Sequence, residues 1–210
     1  MGVYVGFDPG GFGTFGWAVL SGDSLPLRLE DRGIADQARN ACEAAMKSAG
    51  PNVQAIGIDA PLFWNSGGDR IADQRVRTAI AKLGSAGGTV SSVNSLRGAC
   101  LIQGMMAALI CREKLGKEAS LTEAHPKALL WLMRLATRER RPADIRLDEL
   151  GRFVKAEGVF EATDHERDAV LGAITAFAMG SKLDGWQDLY ALEPNPMTPL
   201  DLRPGYWMPI

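Results

Sequence analysis

Residues 3–20 read VYVGFDPGGFGTFGWAVL, and this stretch decides the fold. Residues 3–7 are a short apolar, β-prone run that ends at Asp8-Pro9, where proline removes a backbone donor and fixes φ, so a strand stops there. A glycine-rich turn at residues 10–13 follows, and residues 15–20 carry a second strand pattern. Gly11, Gly13 and Gly16 satisfy the dinucleotide-binding string GxGxxG, but that chemistry needs a helix opening at the motif to hold the pyrophosphate. Trp17, Ala18, Val19 and Leu20 continue as a strand instead, which excludes a Rossmann reading. A kinase glycine-rich loop fails as well, because no HRD, DFG or VAIK-like lysine follows. What remains is a tight hairpin placed directly after a carboxylate.

Working outward, residues 25–34 extend the hairpin into an antiparallel three-stranded meander, with turns at Gly10-Gly11 and Ser21-Gly22-Asp23. Residues 36–49 predict an amphipathic helix stopped by Gly50-Pro51, and residues 53–58 a fourth strand closed by Asp59-Ala60-Pro61. A fifth strand is expected at 119–122. Further helices are expected at 69–83, 95–115, 127–136, 145–157 and 164–182, the last opened by the capping box Thr163-Asp164-His165-Glu166. The tail, residues 184–210, holds five of the 11 prolines with Trp186 and Trp207, and reads as irregular chain packed back on the domain. No internal repeat is present. This order predicts an α/β fold, a mixed sheet with helices on both faces. The domain is expected to span residues 1–183, with a helical insertion at about 63–117.

Composition narrows the classes. With 210 residues, 46% hydrophobic and 23% charged, the chain has the make-up of one globular domain that needs no disulfide or structural metal. Its formal charge of -2, from 23 basic and 25 acidic residues, excludes binding to a polyanion by bulk charge and leaves only local basic patches. Three cysteines, Cys42, Cys100 and Cys111, form no CxxC pair and read as reduced thiols. The start has no basic region followed by an apolar stretch, and the longest apolar run, residues 99–111, is too short to cross a bilayer. A cytoplasmic protein without membrane contact is expected.

The chemistry-bearing residues are carboxylates at element ends. Asp8 and Asp59 each follow an apolar strand and precede a proline within two residues. On adjacent parallel strands they would share one sheet edge, beyond the carboxyl ends where ligands of α/β sheets collect. Two such groups repel, so their closeness makes sense mainly with a cation between them. Asp164 and Asp168 lie one turn apart at the start of the last helix, with His165 three residues before Asp168. Glu123 and His125 share one side of their strand by period two and form a possible additional site. Each also has a structural explanation: turn chemistry for Asp8 and Asp59, the helix dipole for Asp164, a satisfied histidine for His125. Basic side chains cluster at Arg70, Arg75 and Arg77 and again at Arg138, Arg140 and Arg141, either as phosphate contacts or as solvated helix faces.

At this point the sequence resembles a known superfamily. VGFDPGGFGTFGWAVL is similar to the first strand and hairpin of RNase H-like proteins, particularly RuvC-type Holliday-junction resolvases, and HERDAVLGAITAFA resembles their closing helix. With AIGIDAPLF, the stretch 69–77 and TEAHP, the chain looks closer still to a family of predicted RNase H-like nucleases of unestablished function. The resemblance runs over residues 3–182. It implies a five-stranded sheet of order 3-2-1-4-5 and a metal-dependent nuclease that holds two Mg²⁺ or Mn²⁺ ions. Asp8 would be the central ligand, Asp59 the fourth-strand ligand, and Asp168 the last-helix ligand, with His165 or Asp164 beside it. The resolvases usually carry Glu where this chain has Asp59, one methylene shorter. Nucleic acid, DNA or RNA, is the implied partner, and a homodimer is compatible with it. Two other classes stay open: a non-catalytic RNase H-like binding module, and an actin-like or sugar-kinase-type phosphotransferase, suggested by Asp-Pro-Gly-Gly before a hairpin.

Overall fold

The computed structural model of the chain describes residues 1–65, 69–91, 98–156 and 162–210. β1 (Gly2–Asp8) pairs antiparallel with β2 (Phe15–Gly22), and β2 with β3 (Leu27–Ala35), so the meander forms. After α1 (Ala38–Ala49), β4 (Val53–Ile58) returns parallel to β1. β5 (Trp64–Asn65), α2 (Ile71–Ala81) and α3 (Gly98–Leu115) precede β6 (Ser120–Glu123), which lies parallel to β4. Then come α4 (Pro126–Leu132), β7 (Val154–Lys155), α5 (Asp164–Ser181), β8 (Gln187–Asp188), β9 (Pro196–Met197) and β10 (Gly205–Met208). The inner five strands run β3-β2-β1-β4-β6, which is the expected order 3-2-1-4-5.

Three expectations change at the edges. The sheet has eight strands, because β7 joins β3 on one side and β10 with β8 extend it beyond β6 on the other. The prolines of residues 184–210 hid short strands; Gly205 and Tyr206 pair with Thr122 and Glu123. Residues 145–156 are not a helix. Leu147–Leu150 is a 3₁₀ turn, and the Leu27 N–H donates to the Phe153 carbonyl at 2.8 Å, drawing Val154 into the sheet. Ile145, Leu147, Leu150 and Val154 are buried either way, so the apolar spacing was real while Gly151 and an open strand edge decided the backbone. The residues at 95–97 and 157, where two expected helices have their ends, lie outside the described residues.

Strand alternation sends side chains into two cores. Val5, Phe7, Val19, Ile56 and Ile58 pack against Ala41, Cys42 and Ala45 of α1 and Ala107, Ala108 and Cys111 of α3. Tyr4, Ala18, Leu20 and Ala55 face α5, whose Ala169, Val170, Ala173, Ile174 and Phe177 are buried. Tyr4 and Phe177 meet edge to face at 5.2 Å. Two glycines set how closely α5 approaches. A Cβ on Gly6 would lie 1.8 Å from the Ala169 carbonyl oxygen, and one on Gly16 would lie 2.1 Å from that of His165. Bare backbone at these positions therefore lets the first turns of α5 rest on the ends of β1 and β2.

Candidate active site

β1 and β4 are in register with Phe7 opposite Ile58, so Asp8 and Asp59 leave neighbouring strand ends side by side. The Asp59 N–H donates to the Phe7 carbonyl at 2.9 Å, which carries the pairing through to the acid itself. Pro9 and Pro61 then turn each chain away from the sheet. From the facing layer, α5 is started by Thr163, whose hydroxyl accepts the Glu166 N–H at 3.2 Å while Glu166 Oε2 takes the Thr163 N–H at 2.9 Å. That start point brings His165 and Asp168 to the sheet edge. Asp8, Asp59, Asp164, His165 and Asp168 line one cavity of about 760 Å³.

Inside it the charges are poorly compensated. Burial, followed by the fields of Asp8 and Asp168, raises the Asp59 carboxyl well above its ordinary range, with Lys127 acting against them. Asp168 is pushed up to about 6, mainly by burial, although Arg167 opposes this and bonds its Oδ1 at 2.9 and 2.7 Å. The hydrogen bond to Asp8 raises His165, whose Nδ1 lies 2.5 Å from Asp8 Oδ2. Cys100, beside Asp59, is pushed up to about 12 by burial and then by Asp59 and Asp8. Asp164 is more exposed, its side chain 61% accessible, and pairs with Arg167 Nη1 at 3.1 Å.

These residues fit a hard divalent cation. Among the described residues, nothing donates a hydrogen bond to the Asp59 carboxylate. Both Arg167 bonds go to one oxygen of Asp168, and His165 takes one oxygen of Asp8. Unpaired carboxylate oxygens, with the Asp59 and Asp168 carboxyls held above their ordinary range, are the donor set that Mg²⁺ or Mn²⁺ uses. The set is spread over the cavity; the one tight group among the described residues, with donor atoms within 4.8 Å, is Asp73, Glu123 and His125.

That second group does not fit a metal, because an arginine already occupies it. Arg70, 1% exposed, bonds Glu123 through Nη1 (2.8 Å) and Nη2 (2.6 Å) and Asp73 through Nε and Nη2 (both 2.8 Å), and it also reaches the Phe63 carbonyl. Burial pushes Glu123 up, but Arg70 and the His125 bond outweigh it and hold the acid below its usual range. The expectation of a phosphate contact at Arg70 is thus corrected: its donors are spent on two buried carboxylates whose desolvation demands a partner. Nothing in the local sequence separated Arg70 from Arg75, since α2 turns one inward and leaves the other exposed.

The remaining arginines sit at the surface. Arg77 is half-buried and ion-paired to Asp69. Arg138, Arg140 and Arg141 are exposed beyond α4; Arg140 pairs with Glu149, and Arg141 lines the cavity. Lys127 and Cys100 also line it and were missed. A signal for Lys127 existed: it follows the end of β6, the same sheet edge as Asp8 and Asp59, by a few residues.

No protein-family model matches the chain, and no curated protein does. Among solved structures, RuvC of Thermus thermophilus aligns over 85% of this chain and 97% of its own, at 15% identity and a TM-score of 0.42. The same protein in complex with a Holliday junction substrate aligns over 86% and 98%, at 16% identity and a TM-score of 0.40. By its own sheet order, strand directions and closing helix, the chain has an RNase H-like α/β fold. Among the described residues, no helix is long and apolar enough to cross a membrane.

Proposed function

We propose that the chain is a divalent-metal-dependent nuclease that hydrolyses phosphodiester bonds in nucleic acid. One observation carries the reading: carboxylates from β1, β4 and α5 converge on a single cavity, and among the described residues Asp59 receives no hydrogen bond there. Asp8, Asp59 and Asp168 would hold two Mg²⁺ or Mn²⁺ ions. Ions bound there supply water activation and stabilisation of the leaving oxygen in an in-line displacement. His165 orients Asp8 through Nδ1, leaving Nε2 to hand a proton to the leaving oxygen. The bond to Asp8 raises the His165 pKa and so favours the protonated ring. Lys127 and Arg141 supply positive charge on the cavity wall for the phosphate, and Arg138 and Arg140 extend it outward.

The test is a panel of labelled single-stranded and duplex DNA, RNA and a four-way junction, incubated with Mn²⁺ or Mg²⁺. Cleavage that disappears with EDTA and in Asp8→Asn and Asp59→Asn supports the reading. Metal-independent cleavage, or cleavage that both variants retain, refutes it.

A further inference from the structure

The chain has two histidines, His125 and His165, and both line the acidic cavity. Each is tied to a carboxylate, His165 to Asp8 and His125 through Nε2 to Glu123 Oε1 at 2.9 Å. They stand on opposite flanks of the acids. His165 comes from α5 above β1, whereas His125 lies two residues beyond Glu123, which is in register with Ile58, the residue before Asp59.

The surroundings of His125 decide what its ring offers. Glu123 accepts two bonds from Arg70 and one from the Leu62 N–H at 3.1 Å, so it is ionised and only accepts. His125 Nε2 must then carry the hydrogen of that bond, which makes Nδ1 of the neutral ring a lone-pair acceptor. Among the described residues, Nδ1 has no partner. The groups packed around this pair are Arg70 and Asp73 from the start of α2 and Tyr206 from β10. Tyr206 donates to Asp73 Oδ1 at 3.0 Å, and its ring lies 5.1 Å from the imidazole. A buried carboxylate thus fixes one ring nitrogen of a residue that lines the cavity, and leaves the other without a partner among the described residues. This is how a carboxylate orients a catalytic imidazole in unrelated hydrolases.

We infer that His125 is a catalytic base of this site, accepting the proton of the attacking water at Nδ1 while Glu123 positions its ring. The assignment rests on the nuclease reading above and deepens it. In the step, the water oxygen forms a bond to phosphorus and its proton passes to His125 Nδ1. The bond from phosphorus to the leaving oxygen breaks, and that oxygen takes a proton from His165 Nε2. His125 ends protonated and His165 neutral, and exchange with solvent restores both.

Single-turnover cleavage of the best-cut panel substrate with Mn²⁺ tests this, using wild type, His125→Ala and His125→Gln. Glutamine keeps a donor for Glu123 and removes the base, so His125→Gln should melt near wild type, and both variants should cleave roughly 100-fold or more slowly. Added imidazole should restore much of the rate in His125→Ala, where it finds room, and little in His125→Gln. Variants that cleave within about twofold of wild type overturn the assignment and leave the nuclease reading standing. So does a lost rate that imidazole does not restore in folded His125→Ala, because a merely structural role predicts that result. Wild-type protein that cleaves nothing on the panel overturns both.

Discussion

Replacing Asp168 with asparagine should stabilise the metal-free protein at neutral pH and do little at pH 4. The Asp168 carboxyl is pushed up to about 6 in the folded state, against an ordinary value of 3.8. Between those two values the folded protein binds more protons than the unfolded chain, so stability falls as pH rises through the window. Above pH 6 the cost is complete and amounts to about 3 kcal/mol, at 1.36 kcal/mol for each pKa unit. Its source is physical: a side chain 5% exposed, facing Asp8, with Arg167 only partly offsetting the burial. An asparagine there would carry no charge at any pH and would escape that cost. Melting temperatures in EDTA, taken every half unit from pH 4 to 7.5, should show the variant and wild type close together at pH 4. They should diverge to a gap of about 6–12 °C at pH 7, for a chain of this size. Saturating Mn²⁺ should shrink the gap, because ions that bind only the folded wild type stabilise it by mass action. A variant no more stable than wild type at pH 7, or a gap that does not change with pH, refutes the reasoning. Asp168 would then be satisfied by Arg167 alone, and the case for a cation beside it would weaken.

Other expectations follow from the same geometry. Millimolar Mn²⁺ or Mg²⁺ should raise the melting temperature of wild type, and Asp8→Asn should abolish the shift; a shift of unchanged size rules out the proposed ligand set. Changing Arg138, Arg140 and Arg141 together to alanine should flatten the salt dependence of nucleic-acid binding by about 0.9 log units per lost duplex phosphate contact, measured by anisotropy across a salt series. An unaltered slope removes those residues from the interface. Arg70→Ala should instead destabilise the fold by about 3–5 kcal/mol in denaturant titration, because it leaves Asp73 and Glu123 buried without their cation. A mild loss there would mean that water replaces the guanidinium. Gly6→Ala should fail to fold or should melt far below wild type, since the added Cβ would sit 1.8 Å from a carbonyl of α5; a normal melting temperature would show that α5 can retreat from the sheet.

Local signals in the sequence determined the parts of this protein that depend on near neighbours. The strand ends at Asp8-Pro9 and Asp59-Ala60-Pro61 were legible because proline cannot donate to the ladder of a central strand. The capping box at Thr163 marked the start of α5 to the residue, because it closes its own hydrogen bonds within one turn. From these followed the meander and the short list of acids, whereas the inner strand order came only from the family resemblance. Tertiary structure decided whatever required knowing which way a side chain turns or which edge is open. Residues 145–157 had helix-compatible apolar spacing, yet β3 offered an unpaired edge and drew Val154 into the sheet. The tail looked irregular, but Tyr206 and Trp207 found the free edge of β6 and the neighbouring strand β8. Arg70, Arg75 and Arg77 are alike as letters; only the placement of Glu123 beside the start of α2, with Asp73 one turn on, makes the first of them an internal cation. Equally, nothing local joins His125 to His165 or Lys127 to Asp59. They meet because parallel strands deliver their ends to one edge, and because bare glycine backbone lets α5 lie close enough to complete the cavity.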